Sequence, residues 1–350
     1  MGTNRLESRQ DLNTSNQRGL QGEKRIVFNR KIMDSKDQSA AKAIGQKVLR
    51  ALSSNRAPGF HFAGYYLGFK CERFEKQSVE FSVPDSPYCQ DAQGHFSRSG
   101  VLFLADMMLA ASNRVHLNGG VRTATMVLHV EFTGAPAIGP LVATGRGFGF
   151  VDRTALPEGR CEGRVIAQGQ DVLRVSGTWV SPPAPRGMVM HGLPWEGGVD
   201  GSDWPLLKKN ELDANEKTLV SRVNKLLRRA PAVDLLGQLW DPQVKRTASG
   251  AVARLPVGMH VSNRVGHVQG GLLLNMAVCS AQAAVPEHPL ITEATAWYIS
   301  PGQGKVIRAR STVLQKGRNV AVVRTELFGE AGKRVLETIS NHAIPAPRSV

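Results

Sequence analysis

The sequence predicts an α+β protein of two tandem units, each a long antiparallel sheet wrapped around one buried helix. Residues 100–112 and 272–284 are nearly free of charge and predict two helices buried almost all round. Each is followed by segments that alternate apolar and polar residues, the pattern of half-buried strands. The turn at 132–136 follows the first strand after the first helix, and the turn at 298–301 holds the equivalent position after the second helix. This internal repetition indicates duplicated units, which would join edge to edge into one sheet.

The first unit is predicted at 39–183, after a polar, basic tail at 1–38 whose composition favours disorder. Apolar residues at helical spacing predict an amphipathic helix at 39–52, whereas the aromatic-rich stretch 60–83 predicts strands. The buried helix at 100–112 follows. Four antiparallel strands are then expected at 123–132, 140–151, 160–167 and 172–180.

The second unit is predicted at 211–350, after a linker at 184–210 that is dense in proline and glycine. It begins with a surface helix at 211–229, because apolar residues recur there at helical spacing. Strand-like sequence at 252–261 precedes the second buried helix. Four closing strands are expected at 291–299, 305–314, 320–328 and 335–343.

The composition narrows the possible partners. The net charge is +15, and the first 56 residues hold 12 Lys or Arg against 5 Asp or Glu. That balance suits a polyanion such as nucleic acid or a phosphate-bearing small molecule like coenzyme A. Since there is no helix-turn-helix pattern and no basic stripe with interleaved aromatic residues, we expect no nucleic-acid partner.

The cellular setting is predicted from what the sequence lacks. No apolar run reaches the roughly 18–20 residues needed to span a bilayer, and the N-terminal region has no signal-peptide core. The four cysteines are scattered, without a Cys-x-x-Cys pair or a histidine spaced for zinc. We therefore expect a cytoplasmic protein with reduced thiols, no membrane span and no metal.

A glycine loop at 263–271 leads directly into the second buried helix. Its two final glycines would let a substrate approach the backbone, and the unpaired N–H groups at the helix start could bind an oxyanion or a polarised carbonyl. A tight turn into a core helix fits these glycines equally well. Asp106 is the single carboxylate of the first buried helix, and because an unpaired buried carboxylate is costly, a functional role is favoured.

These residues resemble a known family. The motif Asn-x-x-Gly-x-x-Gln-Gly-Gly at 263–271 resembles Asn-x-x-Gly-x-x-His-Gly-Gly of hotdog-fold acyl-CoA thioesterases of the phenylacetate-pathway and 4-hydroxybenzoyl-CoA types. Leu-Ala-Asp at 104–106 resembles the family's helix motif. The resemblance covers roughly residues 45–345 and implies two hotdog units, acyl-CoA thioester hydrolysis and a role in fatty acid metabolism. Coenzyme A is then part of the substrate, and no other cofactor is implied.

Each half departs from the family pattern in a different way. The family places its carboxylate eight residues after the first glycine of the pair, and the second half has Val278 there. The first half has Asp106, but Asp91 and Arg98 stand where the Asn and Gly are expected. We therefore predict that the second half has the loop without the acid, and that the first half has the acid without the loop.

The resemblance implies one composite site. In single-domain relatives the loop of one subunit faces the helix acid of the other, so Asp106 should face the loop of the second half. Asp106 would activate water or attack the thioester, the Gly270 N–H would bind the carbonyl oxygen, and Asn263 would hold the water or the carbonyl. The remaining candidates are Gln269 and Thr125 with catalytic roles and Gly271 and Ser112 with substrate-binding roles.

Other interpretations stay open. Gln269 and Asn263 also fit a structural role as loop caps, and Thr125 fits a plain strand residue. The missing mirror site and the Gln269 replacement also suit a non-catalytic acyl-CoA-binding or regulatory protein. A hydratase-type hotdog enzyme would need Asp106 to pair with His267, which the sequence indicates as the only nearby histidine. We expect tandem units to associate further into homo-oligomers.

Overall fold

All twelve strands in the described part of the chain lie in one antiparallel sheet. The computed structural model describes residues 35–86, 89–91, 93–117, 121–151, 155–198, 204–229 and 235–346. The tail predicted at 1–38 lies almost entirely outside these residues. No helix in the described ranges is long and apolar enough to cross a membrane.

Both halves have the same order of elements: two helices, a two-stranded hairpin, a central helix and four strands. The first half contains α1 (Ser35–Asn55), α2 (Phe62–Leu67), β1 (Lys70–Glu75), β2 (Ser78–Val83), α3 (Arg98–Arg114), β3 (Ala124–Phe132), β4 (Leu141–Val151), β5 (Glu158–Ala167) and β6 (Gln170–Val180). The second half contains α4 (Ala214–Arg229), α5 (Leu235–Trp240), β7 (Gln243–Thr247), β8 (Gly250–Pro256), α6 (Gly270–Ala284), β9 (Leu290–Tyr298), β10 (Val306–Lys316), β11 (Val320–Phe328) and β12 (Arg334–Ala343). The predicted repeat is therefore present, and it includes helices before each hairpin.

The strand order is symmetric about the junction of the two halves. It runs β1-β2-β4-β5-β6-β3 and continues as β9-β12-β11-β10-β8-β7. At the junction β3 pairs antiparallel with β9, and the buried Leu128 and Val130 pair with the buried Ala296 and Ala294. Because this pair joins two edges that would otherwise be open, the sheet is continuous from one unit to the other.

The central helices α3 and α6 lie inside the curve of the sheet and contact each other. Most of their buried apolar side chains belong to one core that runs through both units, while Ala281 and Ala284 at the end of α6 belong to a small separate cluster. Glycines in the facing strands make the close approach possible: a Cβ on Gly145 of β4 would lie 2.1 Å from the Met108 sulfur of α3. One helix wrapped by an antiparallel sheet, made twice, is the tandem hotdog fold, so the predicted fold class is confirmed.

The leading helices also join the two halves. α1 contacts α4, and the guanidinium of Arg56, just after α1, lies 2.6 Å from the carboxylate of the buried Glu216 on α4. Part of the stretch 184–210 folds back onto the sheet: Pro194–Gly197 forms a 3₁₀ turn whose Trp195 packs edge-on against Phe81 of β2.

The structure corrects the prediction of strands throughout 60–83. Phe62–Leu67 is a short buried helix, stabilised by stacking of Phe62 on Tyr66 one turn later and ended by Gly68 with a φ of 77°. Aromatic content favours strands only where the pleated surface is half-buried, and this segment is buried on all sides. The strand-like stretch at 252–261 is also shorter than predicted, since β8 ends at Pro256.

Candidate active site

A cavity of about 280 Å³ lies between the two units. One wall is the face of α3 that carries Asp106, together with the start of β3. The opposite wall is formed by the loop that begins at Asn263 and by the start of α6. The lining includes Asp106 and Thr125 from the first unit and Asn263, Gln269, Gly270 and Tyr298 from the second. The cavity therefore depends on both halves of the chain.

Asp106 is buried, at 5% exposure, and its carboxylate accepts three hydrogen bonds. The Thr125 hydroxyl donates to Oδ1 at 3.1 Å, the Gln269 amide donates to Oδ2 at 2.5 Å, and the Gly271 N–H donates to the carboxylate. Burial raises the pKa of Asp106 to about 6, although the bonds from Thr125 and Gly271 act in the opposite direction. A carboxylate of this kind can accept a proton near neutral pH.

The two glycines at the start of α6 each exclude a side chain for a different structural reason. A Cβ on Gly270 would lie 2.9 Å from Oδ2 of Asp106, so the missing side chain leaves room for the acid. A Cβ on Gly271 would lie 2.3 Å from the carbonyl oxygen of Leu102, so this glycine lets α6 approach the backbone of α3. In the described part of the chain the Gly270 N–H has no hydrogen-bond partner, while the Tyr298 hydroxyl donates to its carbonyl at 2.8 Å.

Gln269 and Asn263 have structural bonds as well as positions on the cavity. The Gln269 side-chain oxygen caps α6 by accepting the Leu272 N–H at 3.1 Å, and its NH₂ group faces Asp106. The Asn263 side-chain oxygen accepts the N–H groups of Val265 at 3.0 Å and His267 at 3.1 Å. The oxygen of Asn263 is therefore occupied by the loop, and its NH₂ group is what it can offer a ligand.

Residues 260–342 match the family model described as the acyl-CoA thioesterase N-terminal domain. The match spans the second unit from the loop before α6 into β12. The predicted resemblance is thereby confirmed for this part of the chain. No curated protein matches the chain.

Several solved structures are similar to the chain. A Bacillus halodurans protein solved with CoA has 21% identity and a TM-score of 0.34, over 39% of this chain and 97% of that chain. The acyl-CoA thioesterase II TesB2 of Mycobacterium marinum has 11% identity and a TM-score of 0.45, over 80% and 97%. The 12:0-ACP thioesterase of Umbellularia californica has 13% identity and a TM-score of 0.47, over 76% and 93%.

The first unit has the same loop as the second unit, contrary to the prediction that it lacks one. Asp91 takes the place of Asn263: its Oδ1 accepts the N–H groups of Gln93 and His95, both at 2.9 Å. The N–H of Gly94 donates to the carbonyl of Asp91 at 3.0 Å, and Gly94 has a φ of 79°. A carboxylate oxygen accepts the same two bonds as an amide oxygen, which is why the backbone path survives the substitution.

The mirror position does lack an acid and an open helix start. Val278 is fully buried where the equivalent acid would stand. The guanidinium of Arg98, the first residue of α3, lies along α6 and contacts the Asn275 side-chain oxygen at 3.5 Å, before Val278 in the chain. It donates to Gln282 at 2.9 Å and to the Cys279 sulfur at 3.2 Å. The arginine thus occupies the place where Gly270 leaves space in the other half.

Ser112 does not join the other predicted site residues. Its hydroxyl is fully buried and donates to the Met108 carbonyl at 3.0 Å, on the face of α3 that packs against Gly145 of β4. It is not part of the cavity lining. Residues 107, 110 and 111 form the lining on this stretch of α3 instead, so the helical register separates Ser112 from the cavity.

The histidines differ from the prediction. His267 lies on the cavity, but its ring contacts the Gln303 amide at 2.5 Å and makes no hydrogen bond with Asp106 in the described part of the chain. A second histidine, His61, also lines the cavity, and neither ring nitrogen has a hydrogen-bond partner among the described residues. Burial and the nearby charge of Arg264 lower the pKa of His61 to about 4. The sequence does not predict that His61 lies on this cavity. The residue directly precedes α2, and only the tertiary fold brings it to the cavity.

The sequence also gave no indication of the three arginines on this cavity, Arg114, Arg122 and Arg264. They come from the end of α3, the segment before β3 and the loop before α6. Each of the three segments contains an arginine in the sequence. The spacing of the three arginines does not show that their side chains meet at one cavity. Among the described residues no group of His, Cys, Asp and Glu side chains could hold a metal ion.

Proposed function

We propose that the protein hydrolyses acyl-CoA thioesters at one composite site formed by both units. The observation that carries this proposal is the position of Asp106 against Gly270. The buried carboxylate of one unit lies at the N-terminus of the central helix of the other, with space on the glycine where a Cβ would be. The family of the second unit supports thioesterase chemistry in general, and the choice of acyl-CoA is our inference.

Asp106 acts as the general base in this mechanism. The thioester carbonyl lies near the Gly270 N–H, and a water molecule lies between the carbonyl carbon and the Asp106 carboxylate. Asp106 takes one proton from the water, and the resulting hydroxide attacks the carbonyl carbon. The oxyanion that forms is stabilised by the Gly270 N–H and by the positive end of the α6 dipole. The C–S bond then breaks, and Asp106 transfers to the leaving thiolate the proton that it took from the water.

The neighbours of Asp106 position it for this task. Gln269, Thr125 and the Gly271 N–H hold the carboxylate, and each donated bond favours its charged form. The NH₂ group of Asn263 is available to the water or the carbonyl, because its oxygen is taken up by the loop. We give Gln269, Thr125 and Asn263 positioning roles.

The decisive experiment measures free thiol released from a panel of acyl-CoA thioesters by the wild-type chain and by Asp106→Asn. We expect turnover to fall roughly 10²- to 10⁴-fold, the usual contribution of a general base. Asp91→Asn is the matched control, because the Asn263 loop shows that an asparagine accepts the same loop hydrogen bonds. Unchanged turnover in Asp106→Asn would remove Asp106 from the mechanism.

A second candidate function is acyl-CoA binding without catalysis. One observation favours it: the Asp106 carboxylate already accepts three hydrogen bonds, which leaves it less free to take a proton. Saturable acyl-CoA binding with no thiol release would support this function over hydrolysis. The cytoplasmic location and the further association of tandem units stay predictions from the sequence.

A further inference from the structure

Three arginines line the cavity that holds Asp106, and the proposed hydrolysis gives none of them a role. We call Arg114, Arg122 and Arg264 the arginine cluster. Arg114 is buried, at 9% exposure, and the other two are half-buried. Because Arg264 belongs to the second unit and the other two to the first, the cluster crosses the same junction as the candidate active site.

Two of these guanidinium groups are held by backbone carbonyls. Arg114 and Arg264 donate to the same carbonyl, that of Val121, at 2.5 Å and 2.8 Å, and Arg264 also donates to the His191 carbonyl at 2.7 Å. The carbonyl dipoles fix the direction of the side chains but supply no negative charge. The guanidinium of Arg122 has no hydrogen bond or ion pair with another described residue.

The cluster has more positive charge than its surroundings neutralise. The nearest described carboxylate is that of Glu196, 3.7 Å from Nε of Arg114, and this buried Nε has no hydrogen-bond partner among the described residues. Burial lowers the pKa of all three arginines, and the charge of Arg264 helps to lower that of Arg114 to about 9. They remain charged at neutral pH, so an anion in the cavity would be stabilised.

The cluster lies within reach of a bound thioester. Arg114 follows Asp106 by eight residues on α3, which places their backbones about 12 Å apart along the helix axis. A substrate with its carbonyl at Asp106 could extend one arm along this face of α3, past Ala110, towards the arginines.

We propose that the arginine cluster binds an anionic oxygen group of the thioester substrate, either a phosphate of the coenzyme A arm or a carboxylate at the end of the acyl arm. Guanidinium groups bind both through paired N–H donors. The inference rests on the proposed function, because Asp106 defines the reacting end of the substrate.

The test compares three thioesters: hexanoyl-CoA, which has phosphates; adipoyl-pantetheine, which has a terminal carboxylate; and hexanoyl-pantetheine, which has neither. The variant is Arg122→Gln, since Arg122 holds no described carbonyl and its loss should leave the fold intact. The control is Arg254→Gln, which removes an equal charge from an exposed position on β8.

The readout is kcat/KM for each anionic thioester relative to hexanoyl-pantetheine. We expect Arg122→Gln to lower one of these two ratios about tenfold, the usual effect of losing one hydrogen bond to a charged group. Arg254→Gln should leave both ratios unchanged. A loss for hexanoyl-CoA identifies the phosphate, and a loss for adipoyl-pantetheine identifies the carboxylate. Ratios that are unchanged in Arg122→Gln would overturn the proposal.

The two proposals can fail separately. If the wild-type chain hydrolyses none of the thioesters, the proposed function fails, and the same three compounds are titrated against the protein. Trp179 and Trp195 line the cavity, so their fluorescence reports binding there. Weaker binding of an anionic compound to Arg122→Gln, with unchanged binding of hexanoyl-pantetheine, would still support the anion subsite. Equal affinities, or no binding, would overturn it.

Discussion

The two loops that lead into the central helices have the same backbone path and different chemistry. In each loop one side-chain oxygen, from Asp91 or Asn263, accepts two N–H groups, and a glycine with positive φ follows three residues later. The comparison shows that the path of the loop depends on an acceptor and a glycine. The chemistry depends on other positions, which can change while the path is kept.

Those other positions are three at each of the two equivalent sites, and both halves contribute to each site. Gln269, Gly270 and Asp106 surround the cavity, and their counterparts are Ser97, Arg98 and Val278. At the mirror position Val278 fills the core, and the side chain of Arg98 extends from the start of α3 over α6. One site is therefore open and polar, while its mirror is closed and packed. Four predictions test this comparison.

Of these four predictions, the largest effect on turnover is expected for Gly270→Ala. The new Cβ would lie 2.9 Å from Oδ2 of Asp106 and would push the carboxylate aside. A displacement of about 1 Å can lower turnover roughly 10²-fold, which thiol-release kinetics would measure. The thermal unfolding midpoint should change little, because the contacted atom belongs to a side chain. Gly271→Ala is the contrast: its Cβ meets the Leu102 backbone, so the loss there should be in stability.

The pH dependence of turnover should follow Asp106. Only the ionised carboxylate accepts a proton, and burial raises the pKa of Asp106 to about 6. We expect kcat/KM to rise about tenfold per pH unit at acid pH and to level off above roughly pH 6. A profile measured from pH 4 to 8 checks this. A plateau that extends down to pH 4 would mean that Asp106 is not the base.

A smaller effect is expected for Gln269→Ser, which copies Ser97 of the other half. Serine is a favoured N-cap residue, although the Ser97 hydroxyl bonds that of Ser99 and caps no N–H of α3. The substitution removes the hydrogen bond that Gln269 donates to Asp106. Since that bond favours the charged carboxylate, its loss raises the pKa of Asp106, by on the order of one unit. The midpoint of the pH profile should move upward, with little change in turnover at pH 8. A downward shift would contradict the assignment.

The smallest effect on activity is expected at the mirror position. Arg98→Gln removes the bonds to Gln282 and Cys279, so the free energy of unfolding should fall by about 1 kcal/mol. Urea unfolding measures this loss. Turnover of the folded variant should match the wild type, because Arg98 lies outside the cavity lining. A clear loss of turnover would show that the mirror half contributes to the reaction.

Much of the fold follows from the sequence. The two central helices are predicted because their side chains are apolar on nearly all faces. The long strands are predicted because apolar and polar residues alternate along them. β7 was missed because all of its residues are exposed, which leaves no pattern to detect. Phe62–Leu67 was assigned to strands because aromatic residues favour strands. Its helix is fully buried, and this burial depends on tertiary contacts that the sequence does not show.

The candidate site was predictable only in part. The pairing of Asp106 with Gly270 was expected from the family resemblance, and no spacing in the sequence implies it. The loop of the first half was overlooked because Asp91 and Arg98 depart from the motif. The spacing of Asp91 and Gly94 equals that of Asn263 and Gly266, and this was the available signal. The arginine cluster comes from three separate segments and could not be predicted from any one of them.

The β3–β9 junction has a consequence for how such a site can change. When two identical chains build a pair of sites, every substitution appears in both of them. Here the equivalent positions belong to different stretches of one chain, so Arg98 could arise without removing Gly270. A single polypeptide also keeps the two half-sites together at any dilution. Because the two units that meet at this strand pair are parts of one chain, one site can be lost while its twin stays under selection.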